Sequence, residues 1–281
     1  MPLELHEDAM GDWRNALFLA NASDIAYYSQ AEAAPKFKEL LGVDAQLFSV
    51  GNTQAFVLTN ADHIVVAFRG TESPTSIDGL KDWLLNDALN LLIVPEGRMG
   101  TDFIAAGVDA RFHQGFINAL MAIWDPMFER VTAELKMAER PLWITGHSLG
   151  GALALLAAWL FLRKFVAVHQ IYTFGGPMIG NPAAVAAFDR EFRGKIYRFV
   201  DTRDPVPQLP TVSLVAADYS HCQKAMDLGV REPGSFWKSV AANVVGGVFT
   251  GGGLTTVWNF IKERVGAHSM TTYIEHIKKQ I

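Results

Sequence analysis

Apolar residues recur at helical spacing through Trp13–Gln30, and "PKFKELLG" (Pro35–Gly42) opens on a proline and closes on a glycine. The chain therefore starts with two predicted helices. Three runs rich in β-branched and aromatic residues follow at Ala45–Val50, Gln54–Asn60 and His63–Gly70, parted by "GN" and "AD". Such spacing predicts antiparallel strands entering a sheet. Beyond Gly70 short apolar runs at Leu142–Thr145, Val168–Phe174 and Ile196–Val200 alternate with helical patterns at Gly115–Glu139, Leu149–Lys164 and Pro182–Phe192. That alternation predicts an α/β fold, with a mostly parallel central sheet flanked by helices on both faces. With no internal repeat or charged linker to divide it, the expectation is a single domain over residues 1–281.

Composition narrows the partners. The 281 residues are half apolar and carry 24 Lys and Arg against 29 Asp and Glu, a net charge of −5. No basic stripe marks a phosphate-backbone surface, so nucleic acid is not expected as a partner. Cys222 is the lone cysteine, which leaves no intrachain disulfide and no Cys-based zinc cage. No HExxH or carboxylate-rich loop calls for a metal. The start, "MPLELHEDAMGDWRNA", bears acids where a secretory signal would have a basic stretch and an apolar run. A cytoplasmic location, or export by a signal-less route, with peripheral attachment to membranes open, is the expectation drawn from it. Phe236–Ile261 is strongly apolar but broken by Gly246, Gly247 and Gly251–Gly253, so interrupted helices are expected there and no transmembrane span.

The chemistry centres on Gly146-His147-Ser148-Leu149-Gly150, between a predicted strand and the long helical run after it. A serine on such a turn projects above the sheet at a helix N-terminus, where unpaired amides favour developing negative charge. Its hydroxyl needs a histidine to take its proton and a carboxylate to hold that histidine. Downstream, "YRFVDTRDPVPQLP" places Asp204 past a strand end in a proline-stiffened loop, with Asp201 as the second candidate. For the base, His268 opens a helical stretch near the end of the chain, and His221 also follows Asp204. His276 falls inside that helix as a packing or surface residue, and the remaining histidines, His147 among them, read as structural. An oxyanion hole calls for the Leu149 amide and a donor from an earlier strand end, which Thr71 supplies.

These motifs together resemble the class 3 lipases, the fungal-lipase-like branch of the α/β-hydrolases. The likeness is carried in order by "VVAFRGTES", "DWLLND", "FHQGFINAL", "ITGHSLGGALA", "YTFGGPMIGN", "RDPVPQLP" and "HSMTTYI". It implies the α/β-hydrolase fold, Ser148 as nucleophile, Asp204 as acid, His268 as base, Thr71 and Leu149 as oxyanion donors, and no cofactor. Where the family often has an aspartate supporting the oxyanion hydroxyl, this chain has Asn86, with Asp87 next.

The resemblance also implies a lid, about residues 72–110, in which Ile77, Leu80, Trp83, Leu84 and Leu85 recur near helical spacing. Trp237 and Trp258 in the apolar insert are further candidates for lining an acyl groove or meeting a lipid–water interface. The resulting expectation is a lipase acting on acylglycerols through an acyl-enzyme. Phospholipase, galactolipase and feruloyl-type esterase activity on the same scaffold are the alternatives. A catalytically silent lipid-binding protein, and a lipase delivered into other cells as a toxin, are rival classes. No residue specifies a protein partner.

Overall fold

The computed structural model describes residues 2–71, 92–97, 100–208, 219–229 and 264–281. The chain begins with α1 (Trp13–Ile25) and α2 (Gln30–Leu41), then β1 (Asp44–Val50), β2 (Thr53–Thr59) and β3 (Ile64–Phe68). A two-stranded ribbon, β4 (Leu92–Ile93) with β5 (Phe112–His113), brackets the short α3 (Gly100–Ile104). Next come α4 (Gln114–Met137), β6 (Leu142–His147), α5 (Leu149–Arg163), β7 (Gln170–Phe174), α6 (Pro182–Glu191) and β8 (Ile196–Asp201). The described elements end with β9 (Ala225–Leu228), α7 (Val265–His268) and α8 (Met270–Lys278).

The main sheet has the order β1-β2-β3-β6-β7-β8-β9. Its first two pairings are antiparallel, and every later one is parallel. This is the expected mostly parallel sheet, and the period-2 pleat sorts its side chains onto two helical layers. Val57, Val66, Ile144 and Ile171 face α4, α5 and α6. Phe56, Val65, Trp143, Tyr172 and Phe174 face α1, α2 and α8. The inner strands β2, β3, β6 and β7 are buried throughout, whereas edge strand β1 is mostly not.

Helix α5 is apolar all round its circumference, and every residue from Gly150 to Phe161 is buried. Each large side chain removed from water there contributes roughly 1.5–3 kcal/mol, so the helix behind the serine turn is among the most firmly held elements.

Several boundaries differ from expectation. Pro35 lies inside α2 and does not open it, because Ser29 and Glu32 form a capping box one turn earlier. The predicted first helix accordingly stops at Ile25, and Ala26–Ser29 form the bend between α1 and α2. Strand β6 runs on to His147, so the serine follows the strand directly. Strand β9, a short and half-exposed edge strand, has no counterpart among the predicted elements.

Candidate active site

The parallel strands place their C-terminal ends, and the turns after them, along one edge of the sheet. Ser148 lies between β6 and α5 with φ 56° and ψ −131°, a conformation that costs an L-residue roughly 1–3 kcal/mol. Two glycines make the turn sterically possible. A side chain at Gly146 would collide with the Gly150 carbonyl, and one at Gly150 would stand 2.7 Å from the carbonyl oxygen of Arg69. The pattern around the serine is thus a packing requirement of β6, α5 and β3 meeting at one point. The Ser148 amide donates to the Phe174 carbonyl at 2.9 Å, tying the turn to β7. Its Oγ is buried and makes no hydrogen bond with the described residues.

Asp204 follows β8 in a tight loop, its amide donating to the Asp201 carbonyl at 2.9 Å. The carboxylate is buried and fully engaged. Oδ1 accepts from the Val206 amide at 2.9 Å, while Oδ2 accepts from His268 Nδ1 and from the Tyr273 hydroxyl, each at 2.7 Å. A carboxylate facing a ring nitrogen at that distance fixes the proton on Nδ1 and leaves the ring's other nitrogen as a base. His268 is the last residue of α7, directly before Ser269, the N-cap of α8, whose hydroxyl accepts from the Thr272 amide at 3.3 Å. Tyr273 lies one turn into α8 and also accepts from the Asp201 amide at 3.1 Å. Burial, and then the Asp204 charge, raise its phenol well above the ordinary range, so it stays a donor.

The other candidates separate cleanly. Asp201 is buried against Arg203, 3.0 Å from Nη2, and lies 3.3 Å from His276 Nδ1, away from His268. His221 directs Nε2 to the Pro207 carbonyl at 2.5 Å, and burial lowers its pKa to about 3. Leu149 opens α5, so its amide is the first of that helix's unpaired donors. Thr71 is half-buried three residues past the end of β3, beyond Gly70, which packs against Ser148 Cβ.

Trp83, Leu84, Asn86, Asp87, Trp237 and Trp258 lie outside the described residues, as do residues 72–91 of the lid region and all of Phe236–Ile261. Within the rest of the lid region, Phe103, Ala106 and Ala110 join the core beneath α5. Among the described residues, no helix is long and apolar enough to cross a membrane. Sequence reasoning missed Tyr27 and Tyr273 and gave His147 a structural role. Their only signal is a polar atom placed on an otherwise apolar face.

A family model described as lipase (class 3) matches residues 65–214. Over 166 residues the chain is 33% identical to a secreted mono- and diacylglycerol lipase 1 of Fusarium solani, covering 56% of this chain and 43% of that protein. Over 142 residues it is 34% identical to Toxin TseL of Vibrio cholerae, covering 50% of this chain and 20% of the toxin. The chain thus spans about half or less of the length of these relatives. The structure of Lip2 lipase from Yarrowia lipolytica superimposes with a TM-score of 0.61 at 20% identity, covering 80% of this chain and 83% of that one. The fold is the α/β-hydrolase fold of the fungal lipases.

One expectation is corrected. Fungal relatives are named as secreted lipases, which overturns the cytoplasmic or signal-less location read from the first residues. Those residues belong to the folded body. The Leu3 amide donates to the Leu40 carbonyl at 2.8 Å and the His6 amide to Asn15 Oδ1 at 2.7 Å, while the acids Glu4, Glu7 and Asp8 between and after them stay exposed.

Proposed function

This chain belongs to the class 3 lipase family, and from that premise we propose that it is a serine carboxylic-ester hydrolase acting on acylglycerols through an acyl-enzyme intermediate. The observation that carries the reading is the 2.7 Å contact between His268 Nδ1 and Asp204 Oδ2, at the same sheet edge as a strained serine whose buried Oγ has no hydrogen bond among the described residues.

Ser148 Oγ attacks the ester carbonyl carbon as His268 takes its proton at the ring nitrogen not engaged by Asp204. Asp204 keeps the ring in that tautomer and stabilises the imidazolium that forms. The oxyanion is held by the Leu149 amide and by Thr71. His268 then returns the proton to the leaving alcohol, and a water molecule, deprotonated by the same ring, releases the fatty acid and regenerates Ser148. Names of the fungal relatives support mono- and diacylglycerols as the substrate class. Residues 72–91 and the Trp237 and Trp258 region are proposed to supply the lid and acyl contacts at a lipid–water interface.

The test is hydrolysis of p-nitrophenyl esters from acetate to palmitate, with mono-, di- and triacylglycerol emulsions and phosphatidylcholine in parallel. Wild type is expected to cleave the acylglycerols, and Ser148→Ala to lose roughly 10⁴- to 10⁶-fold in kcat. Two folded proteins that both cleave nothing would overturn the reading, and preference for phosphatidylcholine would move the substrate to phospholipids.

A further inference from the structure

Beneath the serine turn a line of polar groups crosses the mostly apolar layer between α1 and the sheet. Tyr27 lies two residues past the end of α1, with its hydroxyl 2.7 Å from His147 Nδ1. The same oxygen packs against Gly70, where an added side chain would collide with it. On the far edge of the His147 ring, Nε2 lies 2.7 Å from the carbonyl oxygen of His268.

A carbonyl accepts only, so His147 Nε2 carries the ring proton and Nδ1 presents a lone pair. The Tyr27 hydroxyl therefore donates to Nδ1. The bonds run in one consistent direction, Tyr27 O–H to His147 Nδ1 and His147 Nε2–H to the His268 carbonyl. The His147 ring also packs on the His268 ring, with centroids 4.5 Å apart and planes inclined by 34°. Burial, and then the neighbouring His268, keep the His147 imidazole neutral, while burial raises the Tyr27 phenol, so the relay does not change its protons in the neutral range.

Three parts of the proposed hydrolase site are borne on separate pieces of chain: the Gly70–Thr71 turn after β3, the Ser148 turn after β6, and His268 near the end of the chain. We propose that Tyr27 and His147 are positioning residues that hold these three pieces in register, a role that rests on the hydrolase reading. Asp204 fixes the His268 ring at one nitrogen only, and that bond alone leaves the ring free to swing about the carboxylate. The His147 bond to the His268 carbonyl supplies the second anchor, on the residue's own backbone. Because His147 adjoins Ser148 in the chain, this anchor ties base to nucleophile directly. Tyr27 extends the tie to the turn that carries Thr71.

The experiment compares wild type with His147→Leu, His147→Gln and Tyr27→Phe by kcat and KM on p-nitrophenyl butyrate. The low-field proton resonance of His268 Nδ1–H is followed by NMR, and circular dichroism reports folding. His147→Leu is expected to lower kcat about 10- to 100-fold with KM little changed, since a misplacement of about 1 Å has that order of effect. His147→Gln, whose amide donates to the carbonyl and accepts from Tyr27, should recover most of the loss, and Tyr27→Phe should fall between. The low-field resonance should weaken in His147→Leu and persist in His147→Gln. Wild-type kcat and an unchanged resonance in His147→Leu and Tyr27→Phe would overturn the proposal. A His147→Gln variant that is folded but no better than His147→Leu would do the same. If His147→Leu does not fold, the contrast of His147→Gln with Tyr27→Phe decides. Should wild type cleave no ester, the hydrolase reading fails on its own, and the resonance in the same variants still decides whether His147 orders His268.

Discussion

A single methyl group added at Gly175 should disable the site more than it unfolds the protein. Gly175 follows β7 with φ 58°, a backbone region that costs alanine roughly 1–2 kcal/mol. A Cβ there would stand 2.7 Å from Asp204 Oδ2, 2.9 Å from the Tyr273 oxygen and 3.1 Å from His268 Nδ1. An ordinary contact of about 3.5 Å would force each of these atoms back by several tenths of an ångström. They are the same atoms that share the two 2.7 Å hydrogen bonds, so the displacement falls on the carboxylate and ring together. Gly194→Ala is the control, because its φ is 72° and nothing lies within 4 Å of the added Cβ. Both variants should lose a few degrees in melting temperature, at about 2–4 °C per kcal/mol for a protein near this size. Only Gly175→Ala should also lose kcat on p-nitrophenyl butyrate, by about 10- to 100-fold. Equal kcat in the two variants would refute the argument that close packing at Gly175 holds the carboxylate and ring in place.

Tyr273→Phe removes one donor to Asp204 and the acceptor of the Asp201 amide. It should cost about 1–3 kcal/mol in urea unfolding and lower kcat about tenfold, and a variant as stable and active as wild type would contradict both effects. Burial lowers the pKa of His63 to about 4, and its Nε2 has no hydrogen-bond partner among the described residues. The unfolded ring binds a proton below about pH 6.5 while the native ring does not, so its share of stability is intact above that pH and is lost as pH falls toward 4. The slope is about 1.4 kcal/mol per pH unit, and His63→Gln should flatten the fall in melting temperature across that window, where identical slopes would speak against it. Phe165 is 97% exposed at φ 61°, so Phe165→Gly should raise the melting temperature by a few degrees through relief of about 1 kcal/mol of backbone strain, and a lower value would count against that strain.

The sheet and its flanking helices were readable because their signals are local. The β-branched and aromatic runs of β2 and β3 and the apolar run after Ser148 each span one element, and each element is then buried almost throughout. What stayed open depended on contacts distant in sequence. Asp201 ends β8 and Asp204 follows three residues later, and only their tertiary surroundings separate them, giving Arg203 and His276 to the first and His268 and Tyr273 to the second. Tyr27 and His147 are 120 residues apart, so no local pattern announces that they meet. The bend at Ala26–Ser29 is hidden by apolar spacing that continues through Gln30 and by Pro35, which imitates a helix start, while the capping box at Ser29 and Glu32 holds the earlier turn and tolerates the proline inside it.

The measurement that bears most directly on the account is covalent labelling of the serine. Wild type, Ser148→Ala and His268→Ala would be treated with an activated phosphonate ester, and the adducts followed by intact mass and peptide mapping. The account predicts one adduct per chain, located on Ser148, absent from Ser148→Ala and formed far more slowly in His268→Ala. A folded wild-type protein that takes no label, or takes it at another residue at a rate indifferent to His268, would contradict it.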